Sequence, residues 1–359
     1  MTQRLDAPRP LRAGIVGTGG ISGVHVSGYR AAGAALVAVC DLDLDTVQRR
    51  ADAWGVPQVY VDAERMFDEA GLDVVSICTP VATHHPLVLA AVRAGLHVLC
   101  EKPIALDLDQ AQEMIDAAEQ AGVVLQIGHQ LRSDGAVAHA RRLIEQGALG
   151  EIAFVRLRQA HDWGGADEVR PSFATRASGG GGTLLDNGCH MMDLARYLAG
   201  DAEEVYARVA TRRWPIELED TSIVSLRFAS GALGTVENAW TATGWEEGFW
   251  IYGSEGSLEW TNRHAEPRLV HAFRASPGTT WSETDVARYD FAGERAHHRQ
   301  IRSFLDAVHG DGEVVCSGHD GLEAVRIILA AYDSASRNLP VRLGDEASTL
   351  DSAYEGITD

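Results

Sequence analysis

Lysine is nearly missing from this sequence. Lys102 is the one lysine among the 31 lysine and arginine residues, and 51 acidic residues bring the formal net charge to −20. That charge excludes the basic surface with which proteins bind nucleic acids or anionic membranes. Lysine offers a compact ammonium group whose pKa responds to burial, which arginine does not. The retained lysine therefore indicates a chemical role, the alternative being a surface lysine without one.

Long apolar runs and paired cysteines are missing as well. No stretch approaches the roughly 18 apolar residues of a membrane span, and the first residues lack the apolar run of a signal peptide. The cysteines are odd in number and form no C-x-x-C pair: Cys40, Cys78, Cys100, Cys189 and Cys316. This pattern argues against a disulfide framework and against a structural zinc site. We therefore expect a cytoplasmic protein with no metal in its functional site.

Short apolar strands alternate with helical segments over residues 10–128. The strands are expected at 12–16, 35–40, 59–61, 73–78, 97–100 and 123–127. Strands rich in Val, Ile and Leu between helices are typical of a parallel sheet that is buried on both faces. We predict an α/β fold whose N-terminal domain, residues 1–128, is a doubly wound Rossmann domain that binds NAD.

After Gly150 the strands follow one another with short turns. They are expected at 152–160, 204–211, 221–229, 232–240, 248–252 and 257–260, with closing helices at 296–309 and 321–337. Val224, Leu226 and Phe228 alternate with polar residues, as in a sheet with one buried face. We predict a C-terminal α+β domain, residues 129–359, with a large and mostly antiparallel sheet that binds substrate. Its other face needs a cover, so we expect a homodimer or homotetramer formed through this sheet.

A glycine-rich turn follows the first predicted strand. Residues 17–22 read Gly-Thr-Gly-Gly-Ile-Ser, a G-x-G-x-x-[G/A] pattern with Ser22 in the third position. Gly17 permits the tight turn, Gly19 and Gly20 let the backbone approach a pyrophosphate, and the helix that begins near Ile21 supplies N–H donors. The alternative is a plain turn between a strand and a helix.

Asp41 ends the second predicted strand, about 20 residues after the glycine turn. A carboxylate there accepts hydrogen bonds from ribose hydroxyls and repels a 2′-phosphate, and no arginine directly follows it. The position favours NAD over NADP as the cofactor. The alternative is a solvated aspartate at a strand end.

Lys102 lies in the tripeptide Glu101-Lys102-Pro103, directly after the fifth predicted strand. Ligands of open α/β sheets bind beyond the carboxyl ends of the strands. We therefore expect Lys102 to point into the cleft that holds the nicotinamide.

A second group of polar residues follows a run of four glycines at residues 179–182. Asp186 and His190 are four residues apart in a predicted helix and share one face of it. Histidine is the usual acid or base near neutral pH, and a nearby carboxylate can orient it or bind a hydroxyl. The alternatives are a helix N-cap for Asp186 and a core or surface histidine for His190. Asp193 is either structural or a partner of His190.

These residues, taken together and in order, resemble one family. The pattern runs from the glycine turn with His25 through Asp41, Thr79-Pro80 with His84, and Glu101-Lys102-Pro103 to the Asp186, His190 and Asp193 segment. It is similar to the Gfo/Idh/MocA oxidoreductases, the family of glucose-fructose oxidoreductase and inositol dehydrogenase. The resemblance covers nearly the whole chain.

The resemblance implies a reaction and a set of site residues. In such enzymes a sugar or cyclic polyol hydroxyl loses a hydride to the nicotinamide, which implies Lys102, Asp186 and His190 as the catalytic set. It also implies a cofactor site at Thr79, Pro80, His84 and Glu101, in addition to the glycine turn and Asp41. Residues 128–132 read Gly-His-Gln-Leu-Arg where many relatives carry an Asn/Arg-type run. We therefore expect His129, Gln130 and Arg132 to shape a different substrate pocket, with contacts from Gln130 and Arg132.

A further group of polar residues follows the first strand of the second domain. Arg158, His161, Asp162 and Trp163 are candidates for contacts with substrate hydroxyls, and a tryptophan can stack on a sugar ring. We assign His161 and Trp163 to the substrate site. The alternative is a surface loop or a subunit contact.

Three functions are consistent with these residues. The first is an NAD-dependent dehydrogenase of an inositol- or aldose-type substrate. The second is a glycoside hydrolase or lyase that oxidises its sugar transiently and regenerates NAD. The third is a sensor of NAD or sugar without catalysis, which the presence of Lys102, Asp186 and His190 disfavours.

Overall fold

The computed structural model describes residues 9–162, 175–176, 180–263, 268–274, 281–285, 295–347 and 349–354. The chain forms two compact units. The first consists of Met1–Glu101, Glu113–Gly128 and Glu294–Gly318, and the second of Lys102–Gln112, His129–Gly293 and His319–Asp359. Each unit draws on more than one segment, and the domain boundary expected at residue 128 stays a prediction.

The first unit is built on a parallel sheet of six strands. They are β1 (Arg12–Val16), β2 (Ala35–Cys40), β3 (Gln58–Tyr60), β4 (Val74–Ile77), β5 (His97–Cys100) and β6 (Leu125–Ile127). Their order across the sheet is β3-β2-β1-β4-β5-β6. The side chains of Ile15, Val74 and Leu99 are fully buried, because helices cover both faces of such a sheet.

Helices connect these strands. They are α1 (Ser22–Ala31), α2 (Leu44–Trp54), α3 (Ala63–Glu69), α4 (His84–Arg93) and α5 (Leu108–Ala121), with a 3₁₀ turn at Val81–Thr83. The strand order reverses between β1 and β4, and this reversal creates the crevice in which doubly wound sheets bind their ligands. The glycine turn and residues 78–80 follow these two strands, so the fold puts both at the crevice.

The second unit is built on a sheet of nine strands among the described residues. They are β7 (Ile152–Asp162), β8 (Ala202–Ala210), β9 (Thr221–Phe228), β10 (Leu233–Ala239), β11 (Thr241–Gly253), β12 (Gly256–Thr261), β13 (Arg268–Arg274), β14 (Trp281–Asp285) and β15 (Val341–Arg342). Their order is β14-β13-β12-β11-β7-β10-β9-β8-β15. The β7–β10 pair is parallel and the other pairs are antiparallel.

Helix α7 (Thr183–Ala199) packs on the inner face of this sheet, against β7, β9 and β10. Among the described residues, the other helices are α6 (Gly135–Glu145), α8 (Ala296–His309), α9 (Gly318–Arg337) and α10 (Leu350–Tyr354), with a 3₁₀ turn at Gln130–Ser133. Most of α7 is buried, including Leu184, Met191 and Met192, because the sheet covers its apolar face. Its polar residues are therefore held in fixed positions.

The predicted fold class is confirmed: a parallel Rossmann sheet is accompanied by a second, mostly antiparallel sheet. The sequence did not predict α3, α6, α10 or the strands β13, β14 and β15. None of the helices in the described part of the chain has the length and apolar character needed to cross a bilayer.

Candidate active site

In the glycine turn, the fold requires a glycine at one position, and two other glycines border open space. Gly17 has φ +88°, and a Cβ on it would lie 2.6 Å from the carbonyl oxygen of Cys78. A Cβ on Gly19 or Gly20 would meet nothing within 4 Å. Gly17 therefore permits the close approach to the end of β4, whereas Gly19 and Gly20 leave room for a ligand next to the backbone.

Ser22, in the third position of the pattern, is buried and stabilises the turn. Its hydroxyl donates a hydrogen bond of 2.5 Å to the carbonyl oxygen of Gly19. Ile21 is the N-cap of α1, and no side chain caps this helix end. The first amides of α1 are thus left to a ligand, which suits an anionic group such as a pyrophosphate.

Asp41 connects the end of β2 to the glycine turn. Its Oδ2 accepts hydrogen bonds of 2.8 Å from both the main-chain N–H and the hydroxyl of Thr18. The carboxylate is therefore oriented at the crevice and is not simply solvated, as the alternative had it. The sequence did not reveal this role of Thr18, which is 1% exposed.

The segment after β4 is fixed by side chains. The ring of His84 lies 2.9 Å (Nε2) from the carbonyl oxygen of Thr79, and the hydroxyl of Thr83 donates to the Pro80 carbonyl oxygen at 2.7 Å. Thr79 and Pro80 are thus held at the crevice, while His84 is buried at 1% exposure. The buried ring of His84 therefore stabilises this segment through its contact with the Thr79 carbonyl oxygen.

Glu101 ends a buried chain of polar groups in the first unit. Its Oε1 lies 2.9 Å from His25 Nε2, His25 Nδ1 lies 2.9 Å from the hydroxyl oxygen of Ser76, and that oxygen lies 2.8 Å from the hydroxyl of Tyr29. Burial raises the pKa of Tyr29. His25 was part of the sequence pattern, but Ser76 and Tyr29 carried no sequence signal.

Lys102 and Asp186 form an ion pair in the second unit. Lys102 Nζ donates to Asp186 Oδ1 at 2.8 Å and to the Asp186 main-chain oxygen at 3.1 Å. The side chains are 17% and 26% exposed, so both charges are partly shielded from water. Helix α7 begins at Thr183 with Gly182 as its N-cap, which excludes the N-cap role for Asp186. Lys102 is likewise not a free surface lysine.

His190 lies one turn after Asp186 on α7 and is 7% exposed. The ring of His129 stands edge-on to it, with 5.9 Å between ring centroids and 90° between planes. Asp193, one turn further, lies 3.9 Å (Oδ2) from His129 Nδ1. The structure thus joins His129, His190 and Asp193 in one buried group.

Arg132 holds this group in place. Its guanidinium binds both carboxylate oxygens of Asp193 at 2.7–3.1 Å, and it also lies 3.2 Å from Asp320. Arg132 is 5% exposed and Asp193 is 1% exposed. The acid that the sequence left without an assigned role is therefore a structural partner of Arg132.

Three predicted substrate residues have different surroundings. Gln130 lies half-buried in the 3₁₀ turn that also carries Arg132. His161 Nε2 lies 3.1 Å from the side-chain oxygen of Asn187 on α7. Trp163 lies outside the described residues. Arg158, within β7, lies 3.2 Å from Glu237 of β10.

The first unit fits a dinucleotide. The open space next to Gly19 and Gly20 and the uncapped N-terminus of α1 match a pyrophosphate. The oriented carboxylate of Asp41 at the end of β2 matches a ribose. Together these features supply the N–H donors, the carboxylate and the open space that NAD requires.

Two family models match the chain. The model of an oxidoreductase family with an NAD-binding Rossmann fold matches residues 11–129, and the model of the GFO/IDH/MocA C-terminal domain matches residues 137–259. Together they cover more than half of the chain.

Curated and solved relatives match over almost their full lengths. An inositol 2-dehydrogenase of Rhizobium meliloti is 30% identical, and the match covers 93% of this chain and 99% of that protein. A myo-inositol 2-dehydrogenase of Thermotoga maritima is 28% identical over 93% and 98%. A solved levoglucosan dehydrogenase in complex with NADH and levoglucosan is 25% identical, with a TM-score of 0.85 over 93% of this chain and 100% of that chain.

Proposed function

Because this chain belongs to the GFO/IDH/MocA oxidoreductase family, we propose for it the oxidation of one ring hydroxyl of a cyclic polyol or pyranose sugar. The protein is an NAD-dependent oxidoreductase that acts on CH–OH groups of sugars or polyols, in line with its dehydrogenase relatives. Our proposal adds the roles of its residues. The observation that carries it is the ion pair of Lys102 with Asp186, one turn before His190.

Lys102, Asp186 and His190 act together on the substrate hydroxyl in this proposal. NAD⁺, when bound, accepts the hydride from the carbon that carries this hydroxyl. Lys102 donates a hydrogen bond to the hydroxyl oxygen and stabilises the alkoxide that develops there, as a positioned charge does in a partly dry site. His190 accepts the hydroxyl proton. Asp186 holds the Lys102 ammonium at 2.8 Å and keeps it in position.

The cofactor is held by the first unit in the same proposal. Gly19, Gly20 and the Ile21 end of α1 bind the pyrophosphate, and Asp41 binds the ribose hydroxyls. Thr79 and Pro80 line the nicotinamide end, with His84 behind them. Glu101, joined to His25, fixes the end of β5 from which Lys102 follows.

The substrate contacts come from the second unit. We assign Gln130, His161 and Trp163 to the pocket. Arg132 supports His190 by holding Asp193 and His129 in place, since its guanidinium is buried against acids.

We also propose a quaternary structure and a cellular location for the protein. The outer face of the second sheet exposes Tyr252, Leu233 and Ile223, which are 47–54% exposed, beside Phe154. This apolar surface supports a homodimer or homotetramer. The buried thiols of Cys40, Cys78 and Cys100 suit a reducing cytoplasm, which we propose as the location.

A substrate panel tests the proposal. Inositols, aldoses and glycosides are supplied with NAD⁺ or NADP⁺, and absorbance at 340 nm is followed. We expect NADH formation with at least one cyclic substrate and a preference for NAD⁺. Cleavage of a glycoside without net NADH formation, or no reaction with any cyclic polyol or sugar, would overturn the proposed reaction.

A further inference from the structure

An exposed tryptophan stacks on His161, one of the residues predicted for the substrate site. Trp245 is 57% exposed, which is unusual for the largest aromatic side chain. One face of its indole stacks on the ring of His161, with 4.7 Å between centroids and 6° between planes. The other face therefore accounts for the exposed surface.

Trp245 is presented by an irregularity in β11. Thr241 pairs with Asp162 of β7 and Glu246 pairs with Ala160, so the β11 side has three more residues than the β7 side. Gly244, just before Trp245, has φ +95°. Such bulges re-aim a side chain and are common next to active sites. The chain at this point is thus shaped to turn one indole out of the sheet.

Polar contacts hold the residues next to this indole. Glu247, two residues further in β11, accepts a 2.9 Å hydrogen bond from Gln159. Burial raises the pKa of Glu247. His161, under the indole, is itself held by Asn187 at 3.1 Å, and Asn187 is held by Thr183 at 3.2 Å. The stack on His161 therefore covers one face of the indole and leaves the other face open.

The position relates this face to the Lys102–Asp186 pair. Asn187 directly follows Asp186 on α7, so the contact of His161 with Asn187 reaches the helix turn that carries the acid of the pair. His161 and Gln159 lie on the helix side of the sheet, opposite the apolar face formed by Tyr252, Leu233 and Ile223. Trp245 is thus separate from the surface proposed for subunit contacts.

We propose that the open face of Trp245 is a stacking platform for the C–H face of a six-membered substrate ring, a pyranose or a cyclitol. Indole rings bind such surfaces because sugars combine an apolar C–H face with hydroxyl groups at the edge, and a rigid aromatic loses little entropy on binding. The platform selects cyclic over open-chain substrates. This inference rests on the proposed function.

Kinetics of two variants test the platform. For Trp245→Ala we expect KM for a cyclic substrate to rise about 10-fold with kcat within about 3-fold, since stacking contributes equally before and during the reaction. Trp245→Phe should retain most of the affinity. The kcat/KM for an open-chain polyol should not change. The matched control is Trp250→Phe in the same strand, whose ring lies on the opposite face under Arg156 and which should leave KM unchanged.

Binding without turnover gives a second readout. In protein saturated with NADH the sugar is not oxidised, so calorimetry measures its Kd directly. We expect an approximately 10-fold weaker Kd for Trp245→Ala and an unchanged elution volume in size-exclusion chromatography.

The two proposals fail in different ways. If the wild-type protein oxidises no cyclic substrate, the proposed function fails and the platform fails with it. If the wild-type protein oxidises a sugar while Trp245→Ala has the same KM and Kd, the platform alone is overturned. A change of oligomeric state in Trp245→Ala without loss of sugar affinity also overturns it.

Discussion

Lys102 and Asp186 are joined by two hydrogen bonds from one ammonium group, at 2.8 Å to the carboxylate and 3.1 Å to the main-chain oxygen of the same residue. The pair links Lys102, the second residue after β5, to the first turn of α7, the helix that carries His190. The partly shielded carboxylate holds the ammonium in a fixed orientation. This relationship is the basis of the proposed reaction, in which a positioned charge stabilises an alkoxide.

Within the glycine turn, we expect Gly17 to be needed for stability and Gly20 for binding of the cofactor. Gly17→Ala puts a Cβ 2.6 Å from the Cys78 carbonyl oxygen at a residue with φ +88°, and should cost about 1–3 kcal/mol of unfolding free energy. Gly20→Ala faces open space and should leave the urea midpoint unchanged while weakening NADH binding about 10-fold. Urea unfolding and NADH fluorescence measure the two effects. Equal destabilisation by both substitutions would contradict the assignment.

Asp41 should decide the cofactor preference. Asp41→Ala removes the carboxylate that accepts two hydrogen bonds from Thr18, and we expect weaker NAD⁺ binding, about 10-fold, with improved use of NADP⁺. The control is Asp43→Ala, which removes the N-cap of α2 and should cost about 1 kcal/mol of stability. The ratio of kcat/KM for NAD⁺ and NADP⁺ should change only in the first variant. A ratio unaltered by Asp41→Ala would reject the role.

Arg132 should stabilise the protein far more than a surface arginine does. Arg132→Met leaves the buried Asp193 charge without its bidentate partner, and should cost about 3–5 kcal/mol. In the exposed Arg65–Glu69 pair, Arg65→Met should cost at most about 0.5 kcal/mol. Urea denaturation at one ionic strength compares them. Similar losses would show that the Arg132 pair is not structural.

We expect His297 to lower the free energy of unfolding as the pH falls below neutral. Burial lowers its pKa to about 4 from 6.5, so the unfolded chain takes up this proton first as the pH falls. The contribution is full above pH 6.5 and is lost towards pH 4, by an amount of about 3 kcal/mol at most. In His297→Leu the loss of stability between pH 7.5 and pH 4.5 should be smaller than in the wild type. An identical loss would mean that His297 is not buried in its neutral form.

The sequence predicted the Rossmann unit well, because its signals are local. The strands β1, β2 and β5 have the predicted bounds, and glycine and aspartate at strand ends have few other uses. The edge strands β14 and β15 and the strand β13 next to β14 were missed, since β15 is only two residues long and packing in the sheet outweighs a weak local pattern.

The candidate site was predicted in its residues but not in its contacts. Lys102, Asp186 and His190 were identified from residue type and spacing, whereas the Arg132–Asp193 pair joins residues 61 apart, and neither residue type nor spacing predicts such a pairing. Trp245 was missed for a similar reason. Its orientation depends on a bulge opposite another strand, which becomes visible only in the register of β7 and β11.

The most direct test of the central claim is the rate of hydride transfer in a single turnover of Lys102→Met, measured together with the Kd for NADH. The substitution keeps the unbranched apolar part of the side chain and removes its charged end. We predict a rate at least about 10³-fold lower than in the wild type with the NADH Kd within about 3-fold, as expected for a group that acts on the reacting hydroxyl. A rate within about 10-fold of the wild type would contradict the role of Lys102, and with it the reaction proposed for this site.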